Sequence, residues 1–271
     1  MALLWVSFKG CVNVGIYQHF RAEEHPFIDQ VLSWREMIER TYQSKLTDFL
    51  DPREQQIIEA IIGPNNDEII FGFYGGTDDS ERKRALIAPF YEELTTESYQ
   101  LTLLEATFNE KFINIEHRDV MGAFLSLGID RNKLGDIIVS QGIFQLVVAE
   151  EIAPYVIANL TSVKHANIRL EEKSFDDMLA YEQNWIQTDK VVSSLRLDVV
   201  IRAMYNVSRQ EAVNLIIKKQ VKVNFKIVED VAFNLFAGDL ISVRRKGRGK
   251  LVHIGGRTRK NNLRITTALL K

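Results

Sequence analysis

The chain has 271 residues, of which 46% are hydrophobic, and its formal net charge is −2. The single cysteine, Cys11, excludes an internal disulfide and a thiolate zinc site, and without an apolar run of eighteen residues we expect no membrane span. No basic residue precedes the apolar stretch at residues 1–15, so we expect an N-terminal extension there and not a secretory signal. These features predict a cytoplasmic protein of two or three domains.

The charges are distributed unevenly along the chain. Residues 191–271 contain 17 Lys and Arg against 5 Asp and Glu, a net charge of +12, so residues 1–190 carry −14. Such a division predicts a module that binds a polyanion, joined to an acidic body. The alternative is a protein whose charges segregate without a function, and the regular pattern of the basic part favours the first interpretation.

The first part of the chain has a helical pattern, from about residue 24 to residue 62. Asp51 followed by Pro52 predicts a helix start, with the aspartate as the N-cap and proline in the first helical position. Gly63-Pro64 predicts the end of that helix, and the PNNDE stretch after Gly63 predicts a loop. We therefore expect a helical N-terminal region over residues 1–66.

The next part of the chain mixes strand and helix patterns. In chain order we expect strand EIIFGFY (68–74), helix ERKRALIAPF (81–90), strand YQLTLLEATF (99–108), helix HRDVMGAFLSLG (117–128), hairpin GDIIVSQGIFQLVVA (135–149), helix EEIAPYVIANLTSV (150–163) and strand HANIRLEE (165–172). This order predicts a central ferredoxin/RRM-like α/β domain over residues 67–172, with helices on one face of a sheet. The polar residues 173–190 are expected to form a connecting helix or linker.

The basic part begins with two helices. Apolar spacing predicts a helix from Arg196, and Ser208 with Glu211 three residues later predicts the N-cap of a second helix. Alternation then predicts a strand over residues 221–227, with Lys222, Asn224 and Lys226 on one face. Further strands are expected at LISVRR (240–245), LVHI (251–254) and LRITTALL (263–270).

Cations held on a helix–strand surface bind phosphates, and arginine also stacks on unpaired bases. The candidate RNA-binding residues around the two helices and the first strand are Arg196, Arg202, Ser208, Arg209, Lys218, Lys219, Lys222, Asn224 and Lys226. A second candidate group is Arg244, Arg245, Lys246, Arg248 and Lys250. For each cation the alternative is a solvated surface charge, and for Ser208 it is a helix cap alone.

The pattern RLD…SRQEA…I…VKVN…GDLISV in this part resembles the alpha-L RNA-binding module of a ribosomal protein S-four, tyrosyl-tRNA synthetases and pseudouridine synthases. It departs from that module at Phe225, where the family commonly has glycine. Together with HRDVMGAFLSLGIDRNKLGDIIV, it resembles the YlmH-type proteins encoded near bacterial cell-division genes, over residues 16–271. The resemblance implies an α+β chain with a C-terminal alpha-L RNA-binding domain over residues 191–271.

The resemblance also implies a function. It predicts a non-catalytic protein that binds structured RNA, either ribosomal RNA or tRNA or both. The large ribosomal subunit is the expected partner, in rescue or quality control of stalled translation.

Several motifs bear on catalysis. HRD at residues 117–119 lacks the glycine-rich loop and DFG of a kinase. RLD at residues 196–198 matches the motif of pseudouridine synthases, but inside the alpha-L pattern we expect Asp198 to pair with a basic residue or cap the helix. The histidines show no metal-ligand spacing. We therefore expect no enzyme, no cofactor and no metal.

Two alternative functions stay open from the sequence. One is an RNA-modifying enzyme of pseudouridine-synthase type. The other is a cell-division interaction factor that binds a protein partner through the acidic N-terminal body.

Overall fold

The computed structural model describes residues 17–18, 20–63, 66–180 and 185–270. The predicted extension at residues 1–15 and the start of the predicted loop at residues 64–65 lie outside the described residues. The chain divides into two compact units, an N-terminal unit of Met1–Ala180 and a C-terminal unit of Tyr181–Lys271. Within the described ranges, no helix is long and apolar enough to cross a membrane.

Both units combine helices and strands, which confirms the predicted α+β class. The described part of the N-terminal unit contains α1 His25–Thr41, β1 Lys45–Leu50, α2 Pro52–Ile62, β2 Ile69–Tyr74, β3 Lys83–Pro89, β4 Leu101–Thr107, α3 His117–Ser126, β5 Leu134–Ser140, β6 Ile143–Ala149, α4 Ala153–Asn159, β7 Ser162–Val163, β8 Ala166–Asn167 and β9 Glu171–Lys173. The described part of the C-terminal unit contains β10 Trp185–Val192, α5 Leu197–Tyr205, α6 Arg209–Ile217, β11 Val221–Val223, β12 Lys226–Ile227, β13 Leu240–Val243, β14 Gly247–Arg257 and β15 Leu263–Leu270.

The predicted start of α2 is confirmed, because the Asp51 carboxylate accepts hydrogen bonds from the backbone N–H groups of Arg53 and Glu54 at 2.8 and 2.9 Å. The prediction of continuous helix over residues 24–62 is wrong, however, since β1 interrupts it. Helix α1 ends where Tyr42 adopts a left-handed backbone with φ 55°. Glycine usually marks such a helix end, so tyrosine there left no signal in the sequence.

The first sheet has the strand order β1-β3-β2 and is antiparallel. Helices α1 and α2 pack on it through Ile28, Val31 and Ile58. The helix predicted over residues 81–90 is wrong, because these residues form β3, the central strand. Since β3 is buried along nearly its whole length, it lacks the alternation that distinguishes a strand from a buried helix.

The second sheet of the N-terminal unit has the order β5-β6-β4-β9, and every pairing is antiparallel. With α3 after β4 and α4 after β6, the chain follows the β-α-β-β-α-β path of a ferredoxin-like domain. We call residues 101–173 the ferredoxin-like domain. The predicted ferredoxin/RRM-like plan is confirmed, but its first strand is β4, because β2 and β3 belong to the first sheet. Strand β1 precedes the predicted boundary at residue 66, and the division into 1–66 and 67–172 stays a prediction.

The ferredoxin-like sheet is covered on both faces. On one face, α3 and α4 pack through Phe124 and Val156. On the other face, Leu103 and Val147 are buried against Phe49 of β1, and Phe175 and Met178 pack beside them.

The C-terminal unit is built on a six-stranded antiparallel sheet with the order β10-β15-β14-β13-β11-β12. Helices α5 and α6 cover one face, which we call the inner face. Val200, Ile201 and Ile216 of the helices pack there against Val223 and Ile241 of the strands. Side chains at alternate strand positions therefore point to the opposite, outer face.

Two predictions for this region are wrong. The helix or linker predicted over residues 173–190 does not extend to its end, because Trp185–Val192 forms the edge strand β10, paired with β15. The strand predicted over residues 221–227 is a hairpin, in which β11 turns at Asn224-Phe225 into β12. The turn was hidden because the second position carries phenylalanine, whereas Asn-Gly is the usual signal.

Candidate nucleic-acid interface

Helices α5 and α6 meet at a buried carboxylate. Asp198, in the first turn of α5, is 1% exposed. Arg196 donates hydrogen bonds from Nε and Nη2 to its two carboxylate oxygens at 3.0 and 3.3 Å, and the Nε of Arg209 lies 3.9 Å from Oδ2. Asp198 thus orients Arg196 by two hydrogen bonds and attracts Arg209 from the next helix, which confirms the expectation that this aspartate pairs with a basic residue.

These arginines border a pocket of about 210 Å³. The pocket is lined by Ser193, Ser194, Arg196, Val199, Arg202 and Arg209. Three arginine and two serine residues around one concavity suit a phosphate group, because arginine binds phosphate oxygens in a bidentate manner. The two serines were missed in the sequence, since a Ser-Ser pair before a helix has no distinctive pattern.

The N-cap of α6 is as predicted. The Ser208 Oγ accepts a hydrogen bond from the backbone N–H of Glu211 at 3.1 Å. This bond orients the first turn of α6, which carries Arg209. Ser208 therefore has a structural role in the described contacts, and RNA contact by its hydroxyl stays a prediction.

The outer face of the sheet collects cations from both predicted groups. Lys222 of β11 is paired with Ser242 of β13, and Ser242 is paired with Arg248 of β14. Residues paired across neighbouring strands project to the same face, so Lys222 and Arg248 share the outer face, and Lys250 joins them two positions along β14. Lys222 and Lys250 are exposed, and Arg248 is partly exposed.

The turn between β13 and β14 carries Arg244, Arg245 and Lys246, all exposed. Tyr205 of α5 anchors this hairpin, because its hydroxyl lies 3.0 Å from the carbonyl oxygen of Ile241 and 3.2 Å from that of Gly247. Burial raises the pKa of the Tyr205 hydroxyl above its usual value, so it remains a donor. The hairpin is thus held as a fixed projection and not a loose loop.

The C-terminal end of α6 carries Lys218 and Lys219, both exposed, as predicted. Lys219 forms an ion pair with Glu229 at 2.8 Å, and Lys246 forms one with Glu211 at 2.9 Å. Among the described residues, no ion pair involves Lys218 or Lys222. The ion pairs of Lys219 and Lys246 lie near the surface and are weak, so either lysine can exchange its carboxylate partner for a phosphate.

Asn224 does not share an exposed face with Lys222 and Lys226, which corrects that prediction. Its side chain is buried, donating to the Asp239 carboxylate at 2.8 Å and accepting from the backbone N–H of Leu240 at 2.9 Å. Lys226 is exposed but pairs with Val223, a core residue, so it projects away from the outer face. The hairpin turn at Asn224-Phe225 causes both differences.

The structure therefore sorts the candidate cations into two surfaces. The first, which we call the arginine pocket, contains Arg196, Arg202 and Arg209 on the helical side. The second, the outer basic face, contains Lys222, Arg248 and Lys250. The hairpin tip at residues 244–246 projects from the edge of the sheet.

The HRD triplet has a structural role. Asp119 accepts from the backbone N–H of Glu116 at 2.8 Å and pairs with Lys164 at 2.7 Å. Partial burial acts to raise the pKa of Asp119, but the hydrogen bond and charge of Lys164 outweigh it, and the pKa lies below its usual value. Asp119 is therefore the third helical residue of a capping box in which Glu116 is the N-cap of α3.

Comparisons with known proteins match one family model in each of the two units. Residues 95–177, which contain the ferredoxin-like domain, match a family model described as an RNA-binding domain in YlmH, and residues 195–241 match the S4 domain. A solved structure, "Cell division protein ylmH from Streptococcus pneumoniae", is 25% identical with a TM-score of 0.53. The match covers 60% of this chain and 99% of that one.

A curated relative extends the similarity to nearly the whole chain. "Ribosome-associated protein quality control protein P2" of Bacillus subtilis (strain 168) is 40% identical over 251 residues, which are 93% of this chain and 97% of the relative. With both domain matches in the same order, this similarity shows that the chain belongs to the YlmH family of RNA-binding proteins with a C-terminal S4 domain.

Proposed function

We propose that the chain is a non-catalytic, cytoplasmic protein that binds structured RNA, either ribosomal RNA or tRNA or both, on the large ribosomal subunit in rescue or quality control of stalled translation. The observation that carries this proposal is the arginine pocket, in which buried Asp198 accepts hydrogen bonds from Arg196 and forms a longer ion pair with Arg209. The quality-control role of the relative that is 40% identical supports the choice of the ribosome as the partner.

The geometry suits a structured RNA. A backbone phosphate enters the arginine pocket, which three arginine residues line. Lys222, Arg248 and Lys250 then contact phosphates on the opposite side of the sheet, so the unit presents cations in two directions. An RNA that folds around the domain, or two RNA strands on either side of it, satisfies both surfaces at once.

Electrostatic contact of this kind predicts a strong dependence on salt. If about five phosphates are neutralised, the logarithm of the affinity falls with the logarithm of salt concentration with a slope of about −3 to −4. Binding to isolated ribosomal subunits and to tRNA is measured across a salt series. The same series is repeated with the double variant Arg209→Glu plus Lys222→Glu, which reverses one charge on each surface.

We expect the double variant to lose at least about 100-fold in affinity, and the slope to fall in magnitude by more than 1. Circular dichroism and thermal unfolding of the variant serve as the control for folding. Unchanged binding by a folded double variant contradicts the proposal.

The N-terminal unit supports a further part of this proposal, contact with a protein partner on the ribosome. Phe90 and Tyr91 are each 61% exposed and pack edge to face with ring centroids 5.4 Å apart. Replacing both aromatic residues with serine is expected to abolish the crosslinks between this chain and proteins of the ribosome, while its affinity for RNA stays unchanged. Identical crosslinks in the variant and the wild type exclude this surface.

A further inference from the structure

We propose that the Phe225 ring, together with the Arg248 guanidinium, forms a stacking site for an unpaired base of the bound RNA. This inference rests on the proposed function and assigns one part of the outer basic face to a base and not to a phosphate. Three observations carry it: the backbone at Phe225, the surroundings of its ring, and the cations beside it.

The backbone at Phe225 is one that phenylalanine rarely adopts. Asn224 and Phe225 both have positive φ angles, 46° and 67°, in the turn between β11 and β12. Two successive positive φ angles characterise a type I′ turn, for which Asn-Gly is the preferred sequence. A bulky side chain in this left-handed region is strained, and such strain persists where the surrounding structure imposes it, often at binding sites.

Core packing does not account for this phenylalanine. The residues that form and surround the core of the described C-terminal unit include Val221, Val223 and Val228, but not Phe225. The ring is partly exposed. Glycine would fit the turn with less strain, so the hairpin turn itself does not require an aromatic side chain at this position.

The ring lies beside Arg248, one cation of the outer basic face. The Arg248 guanidinium carbon is 5.7 Å from the Phe225 ring centroid, near the outer limit of a cation–π contact. Arg248 shares the face with Lys222, as the strand pairing requires. An aromatic ring and a guanidinium group therefore lie close together, and the same sheet face carries Lys222 and Lys250.

This combination identifies the chemistry of the ligand. Proteins bind single-stranded RNA by stacking bases on aromatic rings and arginine planes while lysines contact the backbone. A base in a duplex is already stacked between its neighbours and is not available to the ring. The site is thus suited to an unpaired base in a loop, bulge or single strand.

The test compares single-stranded and double-stranded RNA. The probes are a single-stranded RNA of about twelve nucleotides and a blunt duplex of the same length, each labelled for anisotropy. The full-length protein is measured as wild type, Phe225→Gly and Phe225→Trp. Phe112→Ala, which removes an 86% exposed ring from the N-terminal unit, is the matched control.

We expect Phe225→Gly to weaken binding of the single strand about tenfold, with a thermal unfolding midpoint at or above that of the wild type. Phe225→Trp and Phe112→Ala should bind like the wild type. In addition, RNA should quench the fluorescence that the new tryptophan adds, a signal that a purely structural role would not produce.

Three results overturn the inference. They are equal single-strand binding by Phe225→Gly and the wild type, an equal loss for the duplex, and a Phe225→Trp protein whose added fluorescence is not quenched. The outcome is separable from the proposed function. If Arg209→Glu plus Lys222→Glu abolishes binding and Phe225→Gly does not, only the stacking site fails.

Discussion

The ferredoxin-like domain and the C-terminal unit each build an antiparallel sheet with helices on one face. They differ in what lies on the other face of that sheet. In the ferredoxin-like domain that face is closed: Phe49 packs on it, and Gln145, 1% exposed, accepts from the backbone N–H of Leu179 at 2.7 Å and donates to the carbonyl oxygen of Asp177 at 3.0 Å. In the C-terminal unit, Lys222 and Lys250 stand exposed on the outer face.

The arginines of the two units differ in the same way. Arg82 and Arg84 of the N-terminal unit are 8% and 4% exposed and donate to the backbone carbonyls of Phe49 and Thr47 at 2.7 and 2.6 Å. Burial lowers the pKa of both guanidinium groups. By contrast, the side chains of Arg196 and Arg209 are 41% and 75% exposed around a carboxylate that orients them.

This comparison shows that the same sheet architecture can leave its second face either closed or open. The ferredoxin-like plan binds bases through an open sheet face lined with aromatic side chains, and here that face is occupied. Any RNA contact by this domain must therefore use its helices or edges. The C-terminal unit keeps a sheet face and a helical pocket open, and it carries the positive charge.

The largest effect is expected from a substitution that removes the packing on the closed face of the ferredoxin-like sheet. Phe49 is 1% exposed, and Phe49→Ala removes the ring that fills the gap above Gly135, where even a Cβ atom would lie 2.6 Å from the ring. We expect the free energy of unfolding of the N-terminal unit to fall by about 3–5 kcal/mol, measured by denaturant titration.

The matched control for this prediction is Phe112→Ala, in which the exposed ring is expected to contribute less than about 0.5 kcal/mol. RNA affinity of the folded Phe49→Ala protein should equal that of the wild type. A loss below about 1 kcal/mol would show that the second face of this sheet is open, and the comparison between the two units would not hold.

An intermediate effect separates structure from RNA contact within the C-terminal unit. Asn224→Gly keeps the positive φ angle but removes the donor to Asp239 and the acceptor for the Leu240 N–H, both buried bonds. We expect the free energy of unfolding to fall by about 1–3 kcal/mol, while the salt dependence of RNA binding stays unchanged.

Lys222→Ala is the counterpart of Asn224→Gly on the same hairpin. It should leave the free energy of unfolding within about 0.5 kcal/mol of the wild type and reduce the salt slope by about 0.7 in magnitude. If Asn224→Gly changes the slope as much as Lys222→Ala does, then Asn224 contacts RNA after all.

The sequence predicted the fold wherever local signals were strong. The cap at Asp51, the cap at Ser208 and the hairpin around Gly142 are confirmed, since each depends on residues whose conformational preference dominates. The errors occur where tertiary structure overrides the pattern. Strand β3 is buried on both faces, so its hydrophobic residues do not alternate with polar ones. The helix end at Tyr42 and the turn at Phe225 have positive φ angles at residues other than glycine, which is the usual sequence signal.

The site was less accessible to prediction than the fold. The charge of residues 191–271 located the module, and the RLD motif indicated that the Asp198 carboxylate pairs with a basic side chain. Which cations share a surface depends on strand register, however, and a one-residue difference exchanges the faces. The hairpin at Asn224-Phe225 therefore moved Asn224 into the interior and Lys226 off the outer face, although the alternating pattern placed both with Lys222.

The smallest effect is expected when exposed cations of the ferredoxin-like domain are reversed in charge, instead of cations of the C-terminal unit. Lys111 and Arg118 of the ferredoxin-like domain are exposed, and Arg118 already pairs with Glu116 at 3.0 Å. The double variant Lys111→Glu plus Arg118→Glu changes the net charge by the same amount as Arg209→Glu plus Lys222→Glu. Because neither side chain lines the arginine pocket or belongs to the outer basic face, we expect less than about a threefold loss in RNA affinity at physiological salt, which screens exposed charges. Equal losses in the two double variants would mean that net charge, and not the ordered surfaces of the C-terminal unit, determines binding.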